Sequence, residues 1–219
     1  MTLGTGQLTD RERPLAIDLF CGLGGWAEGL LSEGYRVVGF DIEDHKYGEH
    51  RYPGQLVLQD VLTLHGSQFK NAALIVASPP CQEYSYMALP WKLSKVKSAA
   101  IRADASGASL EKLNRLFNVC FRIREEASMA AGHQIPLIVE NVRGAIPWVG
   151  RSRWNYGSFH LWGDVPALMP ITSGRLKLKG DNFLKPHYSS GSYKRKMASA
   201  MIAKIPAPLA RHIGAIFRP

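Results

Sequence analysis

A cysteine, an acid and a glycine-rich turn are the residues of this chain whose types and spacing could do chemistry. Cys81 follows two prolines and the apolar run 72–77, Ala-Ala-Leu-Ile-Val-Ala. An apolar run bounded by prolines predicts a buried parallel strand, and open α/β sheets place their ligands at the carboxyl ends of such strands. Glu140 directly follows a second apolar run, 135–139. A thiol and a carboxyl at two strand ends indicate nucleophilic catalysis assisted by an acid.

The glycine-rich turn indicates a cofactor site. It spans residues 18–25, Asp-Leu-Phe-Cys-Gly-Leu-Gly-Gly, between a predicted strand and a predicted helix. Glycines there allow a tight turn and let a cofactor lie against the backbone. Asp41 ends the next predicted strand, where an acid can bind ribose hydroxyls, and Asp60 ends the third, where it can accept from an adenine amino group. NAD, FAD and S-adenosylmethionine proteins all use such turns, so the turn alone leaves the cofactor open.

Strands that alternate with helices predict βαβ units and a parallel sheet that position these groups. Residues 84–107 lack clear apolar periodicity, which predicts a mobile loop. Gly34 is expected to end the first helix in the left-handed region. The predicted strands are 15–20, 35–40, 56–58, 74–77 and 135–139, with a possible sixth around 159–162, and the predicted helices are 25–32, 110–130 and 206–217.

Length and composition favour one soluble α/β core. The chain has 219 residues, of which 46% are hydrophobic and 21% charged. No stretch approaches the roughly 18 apolar residues that span a bilayer. The polar segment 1–13 lacks an apolar signal core, so we expect a flexible tail and a cytoplasmic protein. The three cysteines show no CxxC spacing, which argues against a disulfide framework or a metal site.

The net charge of +9 raises the question of a polyanion partner. A solvated basic surface is the simpler interpretation. The distribution favours nucleic acid, because Lys and Arg group together with aromatic residues nearby, which fits phosphate neutralisation and base stacking. The first group is Lys92, Lys95, Lys97 and Arg102, and the second is Arg175, Lys177, Lys179, Lys185, Lys194, Arg195 and Lys196.

With these motifs in this order, the chain resembles the DNA cytosine-5 methyltransferases. The resemblance rests on residues 18–25, Asp41, Asp60, Pro-Pro-Cys-Gln at 79–82 and Glu-Asn-Val at 140–142, and covers roughly residues 15–150. It implies a Rossmann-like fold with a mostly parallel sheet and a small basic insertion, S-adenosyl-L-methionine as methyl donor, and double-stranded DNA as substrate. The cofactor-binding residues it implies are Asp18, Phe20, Gly22, Gly24, Asp41, Ile42, Asp60 and Pro80.

The resemblance also implies a mechanism. Cys81 would add to C6 of cytosine and make C5 nucleophilic, while Glu140 would protonate or hydrogen-bond N3. A helix start or a nearby cation would lower the pKa of the thiol. The target base would be flipped out of the duplex, with Arg153 counted among the catalytic residues because it resembles one of a pair of arginines that support that base. The implied DNA contacts are Gln82, Ser85, Lys92, Lys95 and Arg151.

The domain organisation departs from the family pattern in two places. We expect a flexible tail over 1–13, a catalytic core over 14–150, a DNA-recognition insertion over 151–196 and a C-terminal helix over 197–219. The Gly-Asn pair that usually precedes this helix is absent, which puts one set of cofactor contacts in doubt. The short insertion suggests a short target sequence or relaxed specificity, as would suit a monomeric phage or restriction-modification enzyme.

Three other functions remain open. One branch of the resembled family methylates tRNA, so the same chemistry could act on a different polymer. A catalytically silent DNA- or protein-binding relative is disfavoured because Cys81, Gln82 and Glu140 are all present. A nicotinamide dehydrogenase would use the glycine-rich turn but leave Pro80-Cys81-Gln82 unexplained.

Overall fold

One seven-stranded sheet, mostly parallel, runs through the chain. The computed structural model describes residues 9, 12–84, 91–169, 189 and 191–219. The strand order is β3-β2-β1-β4-β5-β7-β6, in which β1 to β5 are parallel and β6 and β7 are antiparallel. The predicted Rossmann-like α/β fold is confirmed. The strands are β1 Leu15–Leu19, β2 Arg36–Asp41, β3 Gln55–Leu58, β4 Ala72–Ala77, β5 Leu137–Asn141, β6 Trp154–Tyr156 and β7 Phe159–Gly163.

Helices cover both faces of this sheet. Their bounds are α1 Gly25–Ser32, α2 Trp91–Ala103, α3 Ala108–Ala131, α4 Ile146–Val149, α5 Tyr193–Ala203 and α6 Ala207–Phe217. Short 3-10 turns occupy Val61–Thr63, Gly66–Phe69 and Arg143–Ala145. Gly34 follows α1 with a φ of 84°, as expected for the end of a helix in the left-handed region. No helix in the described part of the chain is long and apolar enough to cross a membrane.

Successive residues of the central strands point to opposite faces, and each face has its own apolar core. On one face, Ile75 and Ala77 of β4 pack with Phe117 and Ile123 of α3. On the other face, the alternate residues of β4 pack with α1 and α6; this core comprises Leu74, Val76, Trp26, Leu30, Leu209 and Ile213. Two cores explain why both β1 and β4 are apolar along their whole length apart from Asp18.

The structure corrects the interpretation of residues 84–107 as a loop. Helix α2 occupies Trp91–Ala103 within that range. Its apolar periodicity is hidden because Leu93 and Val96 are exposed, whereas the polar Ser94 is buried. A helix with such a thin buried stripe is not detectable by hydrophobic spacing.

The sheet also extends beyond the predicted core boundary at residue 150. Strand β7 pairs antiparallel with β5, and β6 pairs with β7, so residues 154–163 belong to the same sheet as β1 to β5. Helix α5 begins at Tyr193, inside the range predicted as an insertion, and the predicted closing helix corresponds to α6. Residues 170–188 and 190 of the predicted insertion lie outside the described residues.

Helices α1 and α6 approach closely because glycine occupies the contact. A Cβ on Gly29 would lie 2.4 Å from the Cβ of Ala210, and a Cβ on Gly25 would lie 2.3 Å from the backbone nitrogen of Ile205. Neither neighbour is the end of a flexible side chain. Glycine is therefore required for the C-terminal helix to dock at this distance.

We predict that Gly29→Ala lowers the free energy of unfolding by about 1–3 kcal/mol, because overpacking outweighs the better helix propensity of alanine. Gly214→Ala on α6 is the matched control. Its Cβ would meet the side chains of Leu30 and Glu33, nearest at 3.1 Å, so a smaller loss is expected. Urea unfolding of both variants measures the difference, and a Gly29→Ala protein as stable as the wild type would contradict the close packing.

Candidate active site

The carboxyl ends of four adjacent parallel strands bring the predicted chemical groups to one edge of the sheet. Strand β1 pairs with β2 and β4, and β4 pairs with β5. The glycine-rich turn follows β1, Asp41 ends β2, Cys81 follows β4 by a few residues, and Glu140 lies near the end of β5. This edge is where open α/β sheets bind ligands.

The glycine-rich turn has a left-handed backbone at Phe20, Gly22 and Gly24, with φ values of 57°, 49° and 75°. A Cβ on Gly22 would meet no atom within 4 Å, so the space beside Gly22 is open to a ligand. A Cβ on Gly24 would lie 2.4 Å from Cδ of Pro53. Gly24 is thus needed for packing against the β2–β3 connection as well as for its backbone angle.

Asp41 is fixed against this turn. Its Oδ2 accepts from the backbone N–H of Gly22 at 2.9 Å, and its Oδ1 accepts from that of Glu43 at 3.2 Å. The Nε2 of His45 lies 3.7 Å from Oδ1. Burial alone would raise the pKa of Asp41, but hydrogen bonds from His45, Gly22 and Glu43 outweigh it and lower the pKa. A carboxylate held charged beside an open glycine suits a ribose, and His45, four residues on, is a partner that the sequence analysis missed.

Ile42 directly follows Asp41 at the end of β2, and Asp60 follows the end of the adjacent strand β3. The side chain of Ile42 is 77% exposed, which is unusual for a large apolar residue at a strand end. Leu58, which aligns with Asp41 across β2 and β3, is also exposed. Asp60 is exposed and caps the following 3-10 turn, since its Oδ1 accepts from Leu62 N–H at 2.9 Å. An adenine contact by Asp60 stays a prediction.

Asp18 lies fully buried beneath the turn. Its Oδ2 accepts from the hydroxyl of Tyr52 at 3.3 Å, while its Oδ1 has no hydrogen-bond partner. Burial raises the pKa of Asp18 well above its usual range. The Tyr52 ring packs directly against Gly39 of β2, where a Cβ would clash with it. Asp18 and Tyr52 therefore link β1, β2 and the β2–β3 connection.

Cys81 and Glu140 are brought together by the register of β4 and β5. Ala77 aligns with Val139, so Ser78 and Glu140 follow at the same level. The side-chain Nδ2 of Asn141 donates to the carbonyl of Pro79 at 2.9 Å, and its side-chain Oδ1 accepts from Val142 N–H at 2.8 Å. Asn141 therefore ties the Glu-Asn-Val motif to the Pro-Pro-Cys-Gln motif directly.

Glu140 is buried and its carboxyl is a weak acid. Burial raises the pKa of Glu140 to about 8, and a hydrogen bond with Ser78 lowers it in part. The hydroxyl of Ser78 in turn accepts from the indole N–H of Trp26 at 3.0 Å. With a pKa near 8, most of the Glu140 population carries a proton at pH 7, as a general acid requires.

The environment of Cys81 differs from the sequence-based expectation. A helix start or a cation was expected to lower the pKa of the thiol, but burial raises it, and the charge of Glu140 raises it further. Cys81 is half-buried. The thiol is therefore protonated in the free protein, and a charged Glu140 would favour that neutral state.

The expected DNA-contacting residues are exposed wherever the structure describes them. Gln82 is exposed in the turn that follows Cys81, and Lys92 and Lys95 are exposed on α2. Ser85 lies outside the described residues, as do Pro170–Tyr188 with most of the second basic group. Three members of that group, Lys194, Arg195 and Lys196, are exposed in the first turn of α5.

Arg151 and Arg153 are both exposed at the start of the β6–β7 hairpin. The backbone N–H of Arg153 donates to the carbonyl of Leu161 at 2.9 Å, and Leu161 pairs with Glu140 across β7 and β5. The backbone of Arg153 is therefore separated from Glu140 by a single strand. Ser152 contributes a further bond to the hairpin, with its Oγ 2.9 Å from Nδ1 of His160.

The other cysteines pack in the interior. Cys21 and Cys120 are both buried, and all three cysteines are free. Burial raises the pKa of both thiols beyond the range in which a thiolate forms readily. Of the three, Cys81 is the most accessible nucleophile. Within the residues described, no three His, Cys, Asp or Glu side chains cluster as a metal site.

We predict that Glu140→Gln changes how stability depends on pH. The folded protein holds a proton on Glu140 up to about pH 8, whereas the unfolded chain releases it near 4.5, so wild-type stability falls as the pH rises between these values. The amide cannot titrate. The Tm of Glu140→Gln minus the Tm of the wild type should therefore increase as the pH rises.

Glu126→Gln serves as the matched control for this measurement. Hydrogen bonds, first from the backbone of Gly66, lower the pKa of Glu126, so its titration lies below that pH window. Its Tm difference from the wild type should stay flat across the same range. A flat difference for Glu140→Gln as well would contradict a raised pKa at Glu140.

One protein-family model matches part of this chain. Residues 15–92 match the family model described as C-5 cytosine-specific DNA methylase, a segment that includes the glycine-rich turn, Asp41, Asp60 and Cys81. The resemblance recognised in the sequence is thereby confirmed over this segment. No curated protein matches the chain.

Three methyltransferases are among the solved structures that are partly similar to this chain. A DNA modification methyltransferase encoded within an E. coli prophage is 25% identical, with a TM-score of 0.39 over 61% of this chain and 33% of its own. The S. pombe Dnmt2 methyltransferase is 15% identical, with a TM-score of 0.37 over 61% and 36%. The Entamoeba histolytica methyltransferase EhMeth is 16% identical, with a TM-score of 0.35 over 60% and 39%. The chain thus spans between a third and two fifths of each.

Proposed function

We propose that this chain, whose residues 15–92 carry the C-5 cytosine-specific DNA methylase match, methylates C5 of cytosine in double-stranded DNA. The observation that carries the proposal is the pairing of a half-buried thiol with a buried, protonated carboxyl at adjacent strand ends. Cys81 and Glu140 lie close enough that the charge of one raises the pKa of the other. Hydride transfer by a nicotinamide dehydrogenase would not require a thiol and a carboxyl at these positions.

The residues at the β1 and β2 ends fit S-adenosylmethionine. Gly22 leaves an open space against the backbone, Asp41 offers a fixed charged carboxylate, and Ile42 presents an exposed apolar surface. We assign Asp41 to the ribose and Ile42 to the adenine, with Phe20, Asp60 and Pro80 around them. When bound, this cofactor supplies a methyl group activated by its sulfonium charge.

Cys81 provides the activation that cytosine lacks. C5 of cytosine is a poor nucleophile. Once the Cys81 thiol has lost its proton to solvent, addition of the thiolate to C6 ends the aromaticity of the ring and places electron density on C5. The new bond is between sulfur and C6. After C5 has been methylated, loss of the C5 proton and cleavage of the sulfur–C6 bond restore the ring and the free thiolate.

Glu140 supports this addition at the other side of the ring. Attack at C6 sends negative charge towards N3, and a protonated carboxyl there can donate its proton or share it in a hydrogen bond. The pKa of about 8 keeps that proton available at neutral pH. Transfer of the proton to N3 leaves a carboxylate. We assign the exposed Arg153 to holding the base.

A cytosine within a duplex cannot reach these groups unless it is flipped out. The exposed Gln82, Lys92 and Lys95 follow Cys81 in sequence and would contact the DNA around the flipped base. Arg151 and the basic first turn of α5 would add phosphate contacts. The recognition of a short target by the segment 151–196 remains part of this proposal.

Incubation with labelled S-adenosylmethionine and a cytosine-rich duplex, followed by digestion to nucleosides, tests the reaction. We expect 5-methylcytosine from the wild type and a loss of at least about a thousandfold in Cys81→Ala, since the covalent route is removed. Cys120→Ser is the matched control, because serine can keep the hydrogen bond that Cys120 makes to the Leu116 carbonyl. It should retain activity.

Two results would contradict the proposal. Formation of 5-methylcytosine by Cys81→Ala at the wild-type rate would exclude Cys81 as nucleophile. Methylation of tRNA in preference to the duplex, in a direct competition between the two, would change the substrate while keeping the chemistry.

We predict that Ser78→Ala shifts the alkaline limb of the kcat–pH profile to higher pH. The Ser78 hydrogen bond lowers the pKa of Glu140, so its removal lets Glu140 keep its proton to higher pH. Ser128→Ala is the control, because Ser128 also uses its hydroxyl in a hydrogen bond, to Ile135 N–H at 3.0 Å, but lies on α3. A limb that moves to lower pH in Ser78→Ala would contradict the assignment of Glu140 as the acid.

A further inference from the structure

A buried polar network joins three segments around the site. The hydroxyl of Tyr84 donates to Oδ1 of Asn114 at 2.9 Å, and the Asn114 Nδ2 donates to the carbonyl of Trp148 at 2.9 Å. Tyr84 and Asn114 are only 3% and 6% exposed. The network therefore connects the turn after Cys81, helix α3 and helix α4 in the interior.

Asn114 is an unexpected residue at its position. It lies inside α3, beside Leu113 and Phe117 on the face that packs into the core. Asparagine is a poor helix former, and a buried amide costs free energy unless it is hydrogen-bonded. Core packing alone would favour an apolar residue, so the two hydrogen bonds of Asn114 point to a specific connection.

One end of the network holds the nucleophile turn. The backbone N–H of Tyr84 donates to the carbonyl of Cys81 at 3.0 Å and closes the turn 81–84. Glu83, in the same turn, pairs with Lys97 on α2. The Tyr84 side chain is therefore the buried anchor of a turn whose other residues, Gln82 and Glu83, are exposed.

The other end holds the segment that leads to the arginines. Trp148 lies in α4, and its ring is covered by the guanidinium of Arg102, 5.0 Å from the ring centroid. The Gly150 carbonyl accepts from the indole N–H of Trp162 at 3.0 Å. Residues 148–150 are thus fixed immediately before Arg151 and Arg153.

We infer that Tyr84 and Asn114 are positioning residues, which hold the Cys81 turn in register with the segment that carries Arg151 and Arg153. The inference rests on the proposed function, in which one flipped base meets Cys81 and Arg153 together. An error of about 1 Å between groups that act on one substrate can cost about a hundredfold in rate. Neither Tyr84 nor Asn114 needs to touch the base.

Tyr84→Phe tests the first hydrogen bond, and Tyr35→Phe is its matched control. Tyr35, just before β2, is also buried, and its hydroxyl donates to the Gly214 carbonyl of α6 at 2.9 Å. Both variants lose one buried hydroxyl and should show similar falls in Tm. We expect several-fold faster alkylation of Cys81 by iodoacetamide in Tyr84→Phe alone, with Cys21 and Cys120 protected in both.

Turnover supplies the second readout. We expect kcat to fall at least about tenfold in Tyr84→Phe and in Asn114→Ala, with an unchanged Kd for S-adenosylmethionine, and to stay near wild type in Tyr35→Phe. Because both residues act through one network, the double variant should be no slower than Asn114→Ala. A kcat loss in the double variant equal to the product of the two single-variant losses would contradict a shared function.

The two readouts separate this inference from the proposed function. Equal Cys81 alkylation and equal kcat in Tyr84→Phe and Tyr35→Phe would overturn the inference while wild-type 5-methylcytosine formation stands. A different pair of results is faster Cys81 alkylation in Tyr84→Phe together with no 5-methylcytosine from the wild type. That pair would support Tyr84 as the anchor of the turn and overturn the proposed function.

Discussion

The register between β4 and β5 is the constraint on which the rest of the site depends. Parallel pairing of Ala77 with Val139 sets Ser78 level with Glu140, and the Asn141 amide then fixes the Pro79 carbonyl just before the nucleophile turn. A slip of one residue would turn Glu140 to the opposite face of the sheet. The apolar residues of both strands pack on two faces, so such a slip would also bury the wrong side chains in each core.

Burial then decides the protonation states. Glu140 and Cys81 both resist ionisation, because burial disfavours the charged form of each and a charged Glu140 also opposes a thiolate at Cys81. In the proposed reaction this is useful: a proton held by Glu140 is needed at N3, and its presence removes the charge that would oppose a thiolate at Cys81. Trp26 and Ser78 connect Glu140 to helix α1, so the glycine-rich turn before α1 and Glu140 belong to one packed unit.

The sequence was informative where a motif is local and uninformative where partners are distant. Apolar runs predicted the parallel strands, and glycine spacing predicted the turn before α1, because both depend on short-range rules. Helix α2 was missed because it buries little apolar surface. The bonds of Tyr84 with Asn114 and of Tyr52 with Asp18 span 30 and 34 residues, and no single-sequence signal marks such pairs. The raised pKa of Cys81 likewise follows from burial, which only the fold determines.

Covalent capture is the most direct test of the nucleophile. With S-adenosylmethionine present, a duplex carrying 5-fluorocytosine should leave a stable protein–DNA adduct, because methylated C5 then has no proton to lose and the sulfur–C6 bond persists. Mass spectrometry of the digested adduct should place the base on Cys81. An adduct on another residue, or free enzyme that converts ordinary cytosine to 5-methylcytosine without ever forming an adduct on the fluorinated duplex, would contradict covalent catalysis by Cys81.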